Sequence, residues 1–207
     1  MRTASCPKRP TSSGTAPPRW WPANWVACAV CCLGVGWPAL AQDVATREDF
    51  RRWYVEAGVA RGGTWTASLG LNLPWTFERA LFDGQLTGHW DAYISQWSAR
   101  NATPAGVREA WTQLALVPTL RFRFDQGRSP WFIEGGIGLS VLDSRYQTRR
   151  KTFSTQFNFA DHQALGWSFG ERRQHEVLLI LRHASNAGIK KPNPGENFLQ
   201  VRYSKVF

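Results

Sequence analysis

TQLALVPTLRFRF, residues 112–124, decides the fold. Read in twos, Leu114, Leu116, Leu120, Phe122 and Phe124 oppose Gln113, Thr119, Arg121 and Arg123. Successive side chains of a strand point to opposite faces, so this segment has one greasy and one polar side. The same alternation recurs up and down the chain. Leu69, Leu71, Leu73 and Trp75 oppose Ser68, Gly70 and Asn72. Leu86, Trp90, Ala92 and Ile94 oppose Thr87, His89, Asp91 and Tyr93. Trp131, Ile133, Ile137, Leu139 and Val141 oppose Glu134, Gly136, Gly138 and Ser140.

Eight such segments can be marked, near 51–60, 64–76, 84–98, 109–124, 129–142, 154–170, 174–186 and 196–207. The first is the weakest, since RRWYVEAG also suits the end of a helical piece. Between them lie turn-like stretches at 77–85, 99–108, 125–129, 143–152, 170–174 and 186–195. Segments of about ten alternating residues separated by turns are the signature of a transmembrane β-barrel. The expected fold is all-β: an eight-stranded antiparallel up-and-down transmembrane β-barrel. At that size the interior is filled by side chains, which argues against a transport channel. Past the N-terminal region, no segment approaches 18 continuous apolar residues, and Val177–Leu181 is the longest clear run. Membrane-spanning helices are therefore not expected there.

The alternation alone does not say which side faces inward. A soluble barrel would bury the greasy side, whereas a membrane barrel turns it to lipid and keeps a polar interior. Three features favour the membrane. First, residues 1–41 carry Arg2, Lys8, Arg9 and Arg19 and no acid. They continue into the apolar run WVACAVCCLGV (25–35) and end on Ala39-Leu40-Ala41. That reads as a secretory signal peptide cleaved after Ala41, leaving 42–207 as the barrel domain. Second, eight tryptophans lie beyond the cut, a residue favoured at bilayer interfaces. Third, the chain closes on NFLQVRYSKVF, whose terminal Phe207 resembles the signal by which bacterial outer-membrane proteins enter their assembly machinery. In a membrane barrel, Asp91, Arg121, Arg123 and Glu134 would pair inside as an ionic network rather than act in catalysis.

Composition narrows the partners. All four cysteines (6, 28, 31 and 32) precede the cut, so neither a disulfide framework nor a thiolate metal site is expected. His89, His162 and His175 are scattered without ligand spacing, so no metal or other cofactor is expected. His162 reads as a wet loop or interface residue. The 25 Lys and Arg less the four in 1–41 leave 21 against 15 acidic residues, a net charge of about +6. An exported basic chain is expected to meet outer-membrane lipid, not nucleic acid. The cluster Arg149-Arg150-Lys151 suits phosphate or acidic sugar, although a solvated loop explains it more simply.

The seventh segment runs into HASNAGIKKPNPGEN, residues 183–197. The parity of Val177, Leu179 and Leu181 continues to His183 and Ser185, although Leu178 and Ile180 blur it. The pair would then face lipid, where polar side chains are costly and more often functional. Two residues apart on one strand face stand ~6.6–6.8 Å apart at Cα, within reach for an imidazole to accept a serine proton. Spacing alone leaves this pair very weak evidence, and a histidine and serine bonded to water or headgroups are the more common explanation.

The longer string closely resembles the active-site region of the PagL-type lipid A 3-O-deacylases. The matching positions are His183, Ser185, Asn186, Gly188, Lys190, Pro192, Asn193 and Glu196. That family has an eight-stranded outer-membrane barrel with its site on the lipid-facing wall. The resemblance implies Ser185 as nucleophile, His183 as base and then acid, and Glu196 as the acid orienting His183. It implies the Gly188 N–H and the Asn193 side chain as oxyanion donors, with Asn186 supporting the turn. Lys190 and Lys191 suit lipid A phosphates, although a solvated turn explains them at least as well. The best-known member carries its acid one position later, where this chain has Asn197. The implied reaction is hydrolysis of the ester-linked 3-hydroxyacyl chain at position 3 of lipid A, a multi-pass outer-membrane protein acting on lipopolysaccharide. Two alternatives stay open: a non-enzymatic adhesion or structural barrel, and a lipid A acyltransferase. A homodimer is also left open.

Overall fold

The computed structural model describes residues 51–99 and 109–207. The expected signal peptide lies outside them. Eight strands follow one another: β1 (Arg52–Ala60), β2 (Thr64–Leu81), β3 (Gly84–Ala99), β4 (Glu109–Phe124), β5 (Trp131–Leu142), β6 (Phe157–Phe169), β7 (His175–Ser185) and β8 (Glu196–Val206). Each pairs antiparallel with the next, and β8 pairs back onto β1, which closes the barrel. Closure leaves no free edge, so every strand's backbone groups find partners within lipid.

The greasy parity points out. Leu116, Ile137, Leu139, Leu181 and Val201 are exposed, Leu181 by 62% and Ile137 by 66%. Such exposure of large aliphatic side chains on every strand suits a hydrocarbon surround, not water. Aromatic residues mark both rims of this band. Rings of Trp131, Trp167, Phe169, His175, Tyr203 and Trp53 touch in succession around β5, β6, β7, β8 and β1. At the other rim Phe157 packs edge-on against Phe159 at 5.4 Å. Ten residues of β6 separate Phe157 from Trp167, about 33 Å of strand. A tilt of about 40° reduces this to roughly 25 Å, the height of a membrane barrel's apolar band.

The interior is polar and full. Arg121 pairs with Glu134 at 2.9 Å and Glu176 at 2.8 Å, and Arg202 pairs with Glu56 at 2.7 Å and Asp91 at 3.0 Å. The expected network is therefore present, but larger than foreseen, with Glu56, Glu176, Arg182 and Arg202 as members. Rings sandwich these charges: Arg202 lies 3.6 Å from the Tyr54 centroid and Arg121 lies 4.0 Å from that of Phe132. Leu178 and Ile180, which blurred the seventh segment, point inward and pack with Phe132 and Ala164.

Three expectations need correction. Residues 77–85 are not a loop: β2 runs on to Leu81, and Glu78–Leu81 pair with Gly84–Thr87 after a register shift beyond Pro74. A proline cannot donate to the ladder, which explains the break in alternation there. His162 is not in a loop either; it is buried inside the barrel on β6. Nor is 143–152 simply solvated. Tyr146 and Phe153 are buried and join Trp97, Trp111 and Phe198 in an aromatic plug at the barrel mouth.

Candidate active site

Short connections join strands at one end of the barrel (82–83, 125–130 and 170–174). The segments 143–156 and 186–195 connect strands at the opposite, longer-looped end. Membrane barrels carry their short turns on the periplasmic side. At the long-loop end, β6, β7 and β8 bring a polar cluster to the outer wall. Asp161, His183 and Asn197 are cross-strand neighbours in one row, and Phe159 faces Ser185 in the next. His183, Ser185 and Asp161 are each half-buried on the outward parity. The cluster therefore sits at the aromatic rim, level with Phe157 and Phe159.

The turn after β7 is held from within. Asn186 is buried, and its amide nitrogen donates to Ser154 Oγ (3.0 Å), Thr155 Oγ1 (3.1 Å) and the Lys190 carbonyl (2.8 Å). Its Oδ1 accepts the Gly188 N–H at 3.0 Å. Gly188 has φ +81°, a conformation glycine adopts without steric cost. Asn193 Oδ1 accepts the Asn186 N–H at 3.1 Å, which leaves the Asn193 amide nitrogen as its group to offer. The Gly188 N–H, expected as an oxyanion donor, is thus engaged in closing the turn. Gly195, φ +60°, packs under the imidazole; a Cβ there would lie 2.7 Å from His183 Cε1.

Glu196 is where the structure departs most from expectation. Its side chain points into the barrel, 2% exposed, and does not meet His183. Lys151 Nζ donates to it at 2.7 Å and Tyr146 Oη at 3.0 Å. The imidazole Nδ1 instead meets Asn197 Oδ1 at 2.6 Å. The reason is strand parity: β8 begins at Glu196, so 196 faces inward and 197 outward. A short sequence distance brought Glu196 near His183 but on the wrong face. Among the described residues no hydrogen bond joins His183 to Ser185; they stand side by side, two apart on β7. Ser185 Oγ accepts the Ala187 N–H at 3.4 Å.

The loop between β5 and β6 braces this site. Lys151 also donates to the Gly195 carbonyl at 2.8 Å, and Ser154 Oγ donates to the Lys190 carbonyl at 2.7 Å. Burial raises the Tyr146 phenol well above the usual tyrosine range, and the neighbouring Glu196 charge adds to this. Lys190 and Lys191 are exposed on the turn, and Lys190 lines a concavity with Arg145, Ser154, Thr155 and Phe157. Below the polar cluster the wall is an apolar groove lined by Ile133, Gly135, Leu165, Leu179 and Leu181.

Sequence reasoning missed Asp161, Gly195 and the inward duty of Lys151. Asp161 was findable: it shares the parity of Leu165 and Trp167, and the hairpin at 170–174 carries it back beside His183.

Comparisons with known proteins place the chain and its fold. The family model "Lipid A 3-O-deacylase (PagL)" matches residues 63–206. Lipid A deacylase PagL of Pseudomonas aeruginosa is 30% identical over 144 residues, covering 68% of this chain and 79% of the relative. Lipid A deacylase PagL of Bordetella bronchiseptica is 32% identical over 134 residues, covering 61% and 70%. A crystal structure of the outer membrane enzyme PagL superposes with a TM-score of 0.64 at 25% identity, covering 75% of this chain and 99% of the other.

Proposed function

The chain belongs to the PagL family of lipid A 3-O-deacylases, and from that premise we propose a specific reaction and site for it. It is an outer-membrane serine esterase that removes the ester-linked 3-hydroxyacyl chain at position 3 of lipid A. The observation that carries this reading is the half-buried His183–Ser185 pair on the lipid-facing wall, with Nδ1 of the imidazole held by Asn197.

Asn197 Oδ1 accepts the Nδ1 proton, which leaves the Nε2 lone pair free to serve as base. Ser185 Oγ attacks the acyl carbonyl carbon while its proton passes to His183 Nε2. The Asn193 amide nitrogen is the donor available to the resulting oxyanion. Collapse breaks the ester C–O bond, and His183 returns the proton to the departing sugar oxygen. Water, deprotonated by His183, then releases the chain from Ser185 as a free 3-hydroxy acid. The orienting group is thus an amide, in a Ser-His-Asn arrangement, and Glu196 serves the turn instead.

The surroundings suit a lipid substrate. Acyl chains can lie along the apolar groove below His183 without leaving the bilayer. Lys190 and Lys191, with Arg145 across the concavity, offer cations to the phosphorylated headgroup. The plugged interior favours an exterior esterase over an acyltransferase with an internal chain pocket. Phe207, outward at the end of the last strand, fits recognition by the assembly machinery.

Mass spectrometry of lipid A from cells expressing the protein tests this. Wild type should remove one 3-hydroxyacyl chain, from position 3, and Ser185→Ala should remove none. Equal loss with both proteins would exclude Ser185 as the nucleophile.

A further inference from the structure

We propose that Asp161, on the neighbouring strand, supplies the negative charge that His183 lacks from its own orienting partner. The inference rests on the Ser185–His183 reading. When His183 takes the serine proton it becomes a cation. Asn197 fixes the ring's tautomer but offers only a dipole to that cation. Glu196 cannot help, because it faces inward and is engaged by Lys151 and Tyr146. Of the acids on β6, β7 and β8, only Asp161 faces outward; Glu176 and Glu196 are buried in the interior.

Asp161 is the direct cross-strand partner of His183, on the opposite side of the ring's strand from Asn197. Directly opposed residues stand about 4.5–5.5 Å apart at Cβ, close enough for a carboxylate to favour a neighbouring cation. Among the described residues no lysine or arginine forms an ion pair with Asp161. A carboxylate at the lipid rim without a cationic partner is costly in the resting protein. That cost is offset when a positive charge develops beside it, which happens at His183 during turnover. Asp161 is therefore a positioning residue that acts through His183, stabilising the transition state more than the bound substrate.

A double-mutant cycle on the full barrel separates this from a structural or substrate-binding role. The four proteins are wild type, Asp161→Asn, Asn197→Asp and the double variant, assayed on detergent-dispersed lipid A. In the wild-type background Asp161→Asn should lower kcat about tenfold or more, with KM changed by less than about twofold. In the Asn197→Asp background, where a carboxylate already sits on Nδ1, the loss should shrink to about threefold or less. Equal losses in both backgrounds, or a loss carried by KM, would overturn the proposal. If Asp161→Asn does not fold, judged by its heat-dependent gel migration, Asp161→Ser takes its place in the cycle. Ser185→Ala is run alongside. Activity in that variant would sink the serine-esterase reading itself, whatever the cycle returns.

Discussion

At the scale of single residues, the site depends on which face each side chain takes. His183 and Ser185 face outward because they continue the parity of Val177, Leu179 and Leu181, and that parity was legible in the sequence. The orienting partner was not. Glu196 and Asn197 differ by one position, and one position on a strand exchanges interior for exterior. Only the register of β8 against β7 decides between them. Gly195 shows the same dependence on three-dimensional placement. A methyl group there would meet His183 Cε1 at 2.7 Å on a backbone already at φ +60°. Gly195→Ala should therefore displace the ring and lower kcat by about 100-fold, since a shift of about 1 Å costs that much in a catalytic group. Deacylation kinetics on the folded variant check this, and unchanged kcat would show that the ring does not depend on Gly195.

At the scale of elements, the eight strands were legible, all but the far end of β2, because period two is visible in any list of residues. The loop at 143–156 was not, because irregular segments have no period to read. Nothing in its sequence says that Tyr146 and Phe153 plug the barrel mouth while Lys151 reaches Gly195 and Glu196 after the turn that follows β7. Removing that tie should have a defined effect. Lys151→Met leaves buried Glu196 without its cationic donor and frees the Gly195 carbonyl, at a cost of about 1–3 kcal/mol. Limited proteolysis should then cut within 143–156 faster than in wild type, with the strands left intact. Tyr146 gives the loop a pH signature. Its folded pKa is raised above the unfolded value, so the neutral phenol stabilises the closed loop fully below about pH 10. That stabilisation is lost as pH rises through the folded pKa. Ultraviolet titrations of wild type and Tyr146→Phe check this: their difference should be one tyrosine that ionises above the usual range.

At the scale of the whole molecule, the barrel is turned inside out relative to a soluble protein. Its charges are the core and its aliphatic side chains are the surface. The sequence indicated this through the coincidence of alternation, tryptophan content and an expected N-terminal signal peptide, and the arginines of 112–124 do pack inside. The size of the network was not legible, since Glu56, Glu176, Arg182 and Arg202 come from strands whose polar faces look ordinary alone. Glu176 has Arg121 at 2.8 Å, Arg52 at 3.3 Å and Arg123 at 3.6 Å. Glu176→Gln would remove the buried carboxylate that those three guanidinium groups share, costing about 3–5 kcal/mol. Urea unfolding of the barrel from lipid vesicles should show that loss, while deacylation by the remaining folded protein is unchanged.

A lipid-shaped phosphonate ester, which forms a stable bond with an activated serine hydroxyl, tests the lipid-facing nucleophile most directly. Peptide mass spectrometry of the treated barrel should locate the adduct on Ser185 in wild type and find none in His183→Ala. An adduct on another residue, or a Ser185 that stays unlabelled while lipid A is still deacylated, would contradict the account.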